Sequence, residues 1–164
     1  MPRGQPGTPI DLRESRLLSE YLALKYPGAR VVLQPRLGAV PAHLQDAGLS
    51  SSELRMLGVW RRYPDAVILE PNLVTVVEAC LKPDPGKISI IELYASLFPQ
   101  TVEFEQFRSL PVSMLLVWAV PDEAVAAMAR QRGIRVDIFQ PTWVLDWLET
   151  LYARHRRAAT VAVA

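Results

Sequence analysis

The sequence predicts an α/β fold: a single domain with a mixed central β-sheet flanked by helices. Three observations lead there. Apolar residues at helical spacing alternate with short hydrophobic runs of strand length. Proline, glycine and asparagine clusters punctuate these segments at Pro27-Gly28, Glu70-Pro71-Asn72, Pro83-Asp84-Pro85-Gly86 and Gly133. A length of 164 residues is enough for one domain with a sizeable core.

Residues 1–10 are rich in proline and glycine and read as a flexible arm, residues 11–157 as the folded domain, and residues 158–164 as a bland tail. Asp11 with Glu14 three residues later gives a box-like helix start, and Leu17, Leu18, Tyr21, Leu22 and Leu24 carry that helix to Lys25. Residues 30–36 (RVVLQPR) read as a strand. Residues 38–52 are irregular, and Ser50-Ser51-Ser52 with Glu53 behind predicts a short helix through Arg61. Residues 65–69 and 73–81 read as two strands of a hairpin around Pro71-Asn72. A helix over 87–98, an uncharged strand over 114–120, a helix from Asp122 to Arg132 closed by Gly133, and a strand over 134–139 follow. Pro141-Thr142 opens a last helix, on which Trp143 and Trp147 lie one turn apart.

Eighteen basic and 17 acidic residues leave a net charge of +1, so any nucleic-acid contact must come from local patches rather than a basic domain. No apolar run approaches the roughly 18–20 residues of a membrane span. The N-terminus lacks the apolar stretch of a secretory signal, and one cysteine forms no internal disulfide, so a cytoplasmic location is expected. Cys80, His43 and His155 have no zinc-ligand spacing.

Two carboxylates interrupt apolar strands. Asp65 opens one arm of the hairpin, and Glu78 lies inside the other. An ionised carboxylate in a buried sheet is costly unless paired, hydrogen-bonded or metal-bound. Alternation puts Glu78, Cys80 and Lys82 on one face, with Val77, Ala79 and Leu81 on the other. Two readings follow. Either each acid pairs with a nearby cation such as Arg61, Arg62 or Lys82, or the hairpin brings both together around a hard cation such as Mg²⁺. Arg61 and Arg62 just before Asp65, Lys82 and Lys87 flanking the loop after Glu78, and Arg36 ending the first strand are candidates for phosphate contacts near the acids, or else solvated element ends.

Pro64-Asp65, a turn, then Glu78 with a lysine close behind resembles the signature of the PD-(D/E)XK nuclease superfamily. The resemblance implies a restriction-endonuclease-like αβββαβ core over residues 11–120, with the final helix–strand–helix as a C-terminal extension. It implies an endonuclease of low sequence specificity acting on nucleic acid, with DNA the expected substrate. Asp65 and Glu78 would hold Mg²⁺ or Mn²⁺, with Glu20, or second to it Glu14, reaching the metal from the first helix. The motif lysine should stand two residues after the glutamate, where this chain has Cys80. A thiol supplies no positive charge. Lys82, roughly 7 Å further along the strand at about 3.3 Å per residue, and Lys87 on the next helix are the replacements. The same substitution suits a catalytically inactive nuclease-like module with protein partners or a second copy, for example in a DNA-processing complex or a phage particle, where the location would be the virion.

Overall fold

The computed structural model describes residues 9–39, 48, 50 and 61–162. Residues 1–8 of the expected 1–10 arm, the short helix expected up to Arg61, and His43 lie outside them, whereas Pro9 and Ile10 belong to the first helix, which starts before the expected Asp11. Five strands form one mixed sheet in the order β1 (Arg30–Leu33), β2 (Ala66–Glu70), β3 (Leu73–Cys80), β4 (Val112–Trp118) and β5 (Arg135–Ile138). β1, β2 and β3 are successively antiparallel, whereas β4 runs parallel to β3 and β5 parallel to β4. The helices are α1 (Pro9–Lys25), α2 (Gly86–Leu97), α3 (Glu123–Gln131) and α4 (Thr142–Ala162). The parallel steps are crossovers through α2 and α3, as a parallel neighbour requires.

Strand alternation divides the core into two layers. Val67, Leu69, Val74, Val76, Cys80, Leu116 and Trp118 face Ile88 and Ile91 of α2 and Val125, Ala126 and Ala129 of α3. Ala66, Ile68, Val77, Ala79, Leu115 and Val117 face Leu17, Leu18, Tyr21 and Leu22 of α1 and Val144 of α4. β3 is covered on both sides, which explains its unbroken apolar composition apart from Thr75 and Glu78. The Thr75 hydroxyl is matched by that of Ser113 on β4, 2.7 Å away.

Local chemistry sets the element ends. The hairpin turns on Pro71-Asn72, with Glu70 opposite Leu73. The Asp122 carboxylate caps α3 by accepting from Val125 N at 3.1 Å. Gly133 ends α3 at φ +71°, while Ile134 N donates back to Ala129 O and Gly133 N to Arg130 O, a paired C-terminal closure. The expected strand over 30–36 is shorter: it stops at Leu33 because Gln34 leaves extended geometry at φ +45°. The last helix runs further than expected, to Ala162. Two 3₁₀ segments, Phe98–Gln100 and Val102–Phe107, follow α2 where the sequence predicts no element. Phe98 and Phe104 from them stack with centroids 5.0 Å apart. Among the described residues no helix is long and apolar enough to cross a membrane.

Ile91 is fully buried at the contact of α2 with the sheet. Ile91→Ala is expected to cost about 2–5 kcal/mol of stability, read as a lower urea midpoint with an unchanged m-value.

Candidate active site

The chain enters β2 through Pro64, which has no N–H to donate and so marks the strand's start. β3 runs on past this point. Its N–H groups at Ala79 and Leu81 face the β2 side, where β2 has ended. Two carboxylates complete them: Asp65 Oδ2 accepts from Ala79 N at 2.9 Å, and Glu14 Oε1 of α1 accepts from Leu81 N at 3.2 Å. Asp65 N in turn donates to Glu78 Oε1 at 3.3 Å. Three carboxylates therefore gather at the end of β3.

Glu78 is 2% exposed and points to the α2 layer. Its Oε2 is bound by the ammonium of Lys87 in the first turn of α2. A cation at a helix N-terminus opposes the helix dipole, so the carboxylates provide the reason for Lys87 to sit there. The tight loop before α2 sets its position: Asp84 Oδ1 accepts from Gly86 N at 2.8 Å and Asp84 O from Lys87 N at 3.0 Å.

Burial pushes the Glu78 carboxyl up to about 7, with the charge of Asp65 adding to the rise and Lys87 opposing it. Burial acts to lower the Lys87 ammonium, but its bond to Glu78 and the charges of Glu78 and Asp65 outweigh that and leave it raised. Burial also drives the Cys80 thiol up to about 12, helped by the negative charge of Glu14, so Cys80 is no thiolate nucleophile. Tyr94 lies two turns after Lys87 on the same helix face. Burial first, then the charge of Glu78, raises its phenol.

The structure brings together Asp65, Glu78 and Lys87 of the residues expected from sequence. Glu20 lies elsewhere, with Oε1 bound by Arg16 at 2.7 Å and Oε2 by the Trp143 indole at 3.0 Å. Glu14, one and a half turns earlier on α1, is the carboxylate that reaches β3. Lys82 is exposed and lines a separate cavity of about 330 Å³ with Pro83, Val120, Asp122 and Leu148. Arg61 does not close over the acids: it makes a two-pronged pair with Glu103 at 2.5 and 2.6 Å and donates to Arg36 O. Arg36 and Arg62 are exposed, the former 5.7 Å from the Tyr63 ring, the latter paired through its backbone with Leu37.

Asp65 also borders an open cavity of about 330 Å³ on the α1 side, with Glu14, Ser15, Leu18, Ser19, Leu33 and Gln34 around it. Sequence reading missed Gln34 and Tyr94. Tyr94 was available from its seven-residue spacing to Lys87, whereas the left-handed backbone of Gln34 has no signature in a non-glycine residue. Among the described residues, no group of three His, Cys, Asp or Glu side chains converges closely enough to hold a metal by itself. The acid pair Asp65–Glu78 matches the one or two carboxylates that Mg²⁺ takes alongside water and phosphate oxygens. No protein-family model matches the chain, and no curated protein matches it.

The ion pair makes a pH-dependent prediction. Unfolded, Glu78 titrates near 4.5, and folded at about 7. Between these values the unfolded chain releases a proton that the folded chain keeps, so this group's stabilising contribution is full below 4.5 and lost as pH rises through 7. Lys87 offsets that loss. Lys87→Met is expected to cost about 2 kcal/mol at pH 8, less than a fully buried pair because Lys87 is 28% exposed, and clearly less at pH 5. Urea denaturation at both pH values measures it, and equal costs would refute the assignment.

Proposed function

We propose that this protein is a divalent-metal-dependent endonuclease with a restriction-endonuclease-like core, hydrolysing phosphodiester bonds in nucleic acid. The observation that carries this reading is the Lys87 ammonium seated on Glu78 beside Asp65 at the end of β3. A positive charge beside the two acids supports this reading, because it could stand in for the motif lysine that Cys80 does not supply. The order of helix, three antiparallel strands, helix and parallel strand supports the same reading.

Asp65 and Glu78 would hold Mg²⁺ or Mn²⁺, with Glu14 of α1, rather than the Glu20 that the resemblance implies, assisting through water. The bound ion would supply Lewis-acid activation of the phosphodiester and a more acidic water. Lys87 orients that water and offsets charge developing on the phosphate. Its raised pKa keeps it protonated at neutral pH, which favours charge stabilisation over proton abstraction. Exposed Arg36 and Arg62 contribute phosphate contacts without sequence preference.

A second reading has its own observation. Cys80 is buried and inert at the motif lysine position, which suits a nuclease-like module that has lost its chemistry and serves assembly with protein partners or a second copy.

Incubation of the full chain with plasmid, single-stranded DNA and RNA in Mg²⁺ or Mn²⁺ separates the two. The first reading expects cleavage that Asp65→Asn and Glu78→Gln abolish, that Lys87→Ala lowers by about 100-fold or more, and that Lys82→Ala leaves intact. Cleavage unchanged in both carboxylate variants overturns it, and no cleavage with either ion favours the module.

A further inference from the structure

We propose that the cavity between α1 and the β1–β2 edge receives an unpaired nucleobase next to the reacting phosphodiester, which makes single-stranded or locally opened nucleic acid the substrate. This rests on the nuclease reading above and adds to it the form of strand that is bound.

Gln34 draws attention to the cavity. At φ +45° it is the described non-glycine residue with a left-handed backbone, a conformation that costs a side chain with a Cβ. The following Pro35 does not account for it, because a residue before proline is pushed towards extended geometry. Gln34 N donates to Asp65 O at 3.0 Å, so the backbone twist is anchored on the residue central to the acid cluster. Backbone strain of this kind gathers at binding and catalytic sites. Its result is an exposed side-chain amide at the cavity rim.

The lining selects the occupant. Leu18 is buried and forms an apolar floor, while Leu33, 59% exposed at the end of β1, is an apolar lip. A flat ring would find apolar contact with these two side chains. Gln34 offers a donor and an acceptor together, the combination that reads a base edge. Ser15 and Ser19 add hydroxyls that can meet the exocyclic groups of a base. No lysine, arginine or histidine is among the described lining residues. The negative charges of Glu14 and Asp65 in the lining disfavour phosphate inside, which leaves phosphate to Lys87 and the exposed Arg36 and Arg62. A volume of about 330 Å³ sits at the small end of ligand pockets, about 300–1,000 Å³, and suits one base rather than a stacked pair. A base held in a duplex cannot enter without leaving its stack.

Fluorescence anisotropy with the full chain in EDTA tests this without turnover. The probes are a five-nucleotide DNA, its RNA counterpart, a backbone of equal length with every base removed, and a blunt duplex. The expected result is that an intact single strand binds at least about tenfold tighter than the base-free backbone and the duplex. The DNA and RNA arms show which sugar accompanies the base. Gln34→Gly is expected to lower intact-strand binding to the base-free level while raising Tm, because glycine relaxes the left-handed backbone. Gln34→Asn, which tolerates that backbone and keeps an amide, is expected to retain a preference for intact strands. Equal binding of intact and base-free strands, or undiminished binding by Gln34→Gly, overturns the pocket assignment while leaving the nuclease reading in place. Binding of none of the probes also overturns the pocket assignment, and the nuclease reading is then judged by the cleavage assay in Mg²⁺ or Mn²⁺ alone.

Discussion

A carboxylate buried in the middle of a sheet needs a cation, and the architecture at the end of β3 follows from that need. Glu78 sits in the layer between the sheet and α2, almost without access to water. Lys87 meets it only because α2 starts immediately after the Pro83–Gly86 loop and runs back over the strand just left. Replacing the pair with apolar groups of similar volume is often neutral or favourable elsewhere. Asp65 converges on the same spot, so the single cation of Lys87 serves two carboxylates there.

The second determinant is the mismatch in length between β2 and β3. β2 stops at Pro64 while β3 continues, which exposes two N–H groups that water or acceptors must satisfy. Asp65 and Glu14 do so from different elements. A strand end completed by carboxylates is electronegative, and the hydrogen bonds of Asp65 and Glu14 to β3 hold those side chains in place. The two core layers meet there: Glu78 belongs to the α2 side, Glu14 arrives from α1, and Asp65 lies between them.

Much of this was legible in the sequence. The alternation in Val74–Leu81 assigned Glu78 to its face, Pro64 and Pro71-Asn72 fixed the hairpin, and Asp122 and Gly133 marked the ends of α3. Helical spacing did not decide between Glu14 and Glu20, since the two are six residues apart on one amphipathic helix and only the tilt of α1 across the sheet selects one. The sequence could not reveal that Trp143 occupies Glu20, because that contact joins residues 123 apart, whereas the Arg16–Glu20 pair has ordinary i, i+4 helical spacing. Lys82 had the right strand face but the strand ends at Cys80, so face periodicity no longer governs it. The 3₁₀ segments after α2 were illegible for a related reason. Phe98 and Phe104 are held by stacking on each other, and Thr101 by Gly38 N and Leu97 O, all without periodic spacing.

Asp65 spends each of its polar groups on a different strand neighbour: its carbonyl on Gln34, its N–H on Glu78 and its carboxylate on Ala79. It behaves as a rivet through three strands. The amide proton of Gln34, just past the end of the edge strand β1, is the direct link from Asp65 to that side of the sheet. That proton is consequently a built-in gauge, and its exchange with solvent reports from outside the site whether anything has drawn the acid cluster away from its resting place.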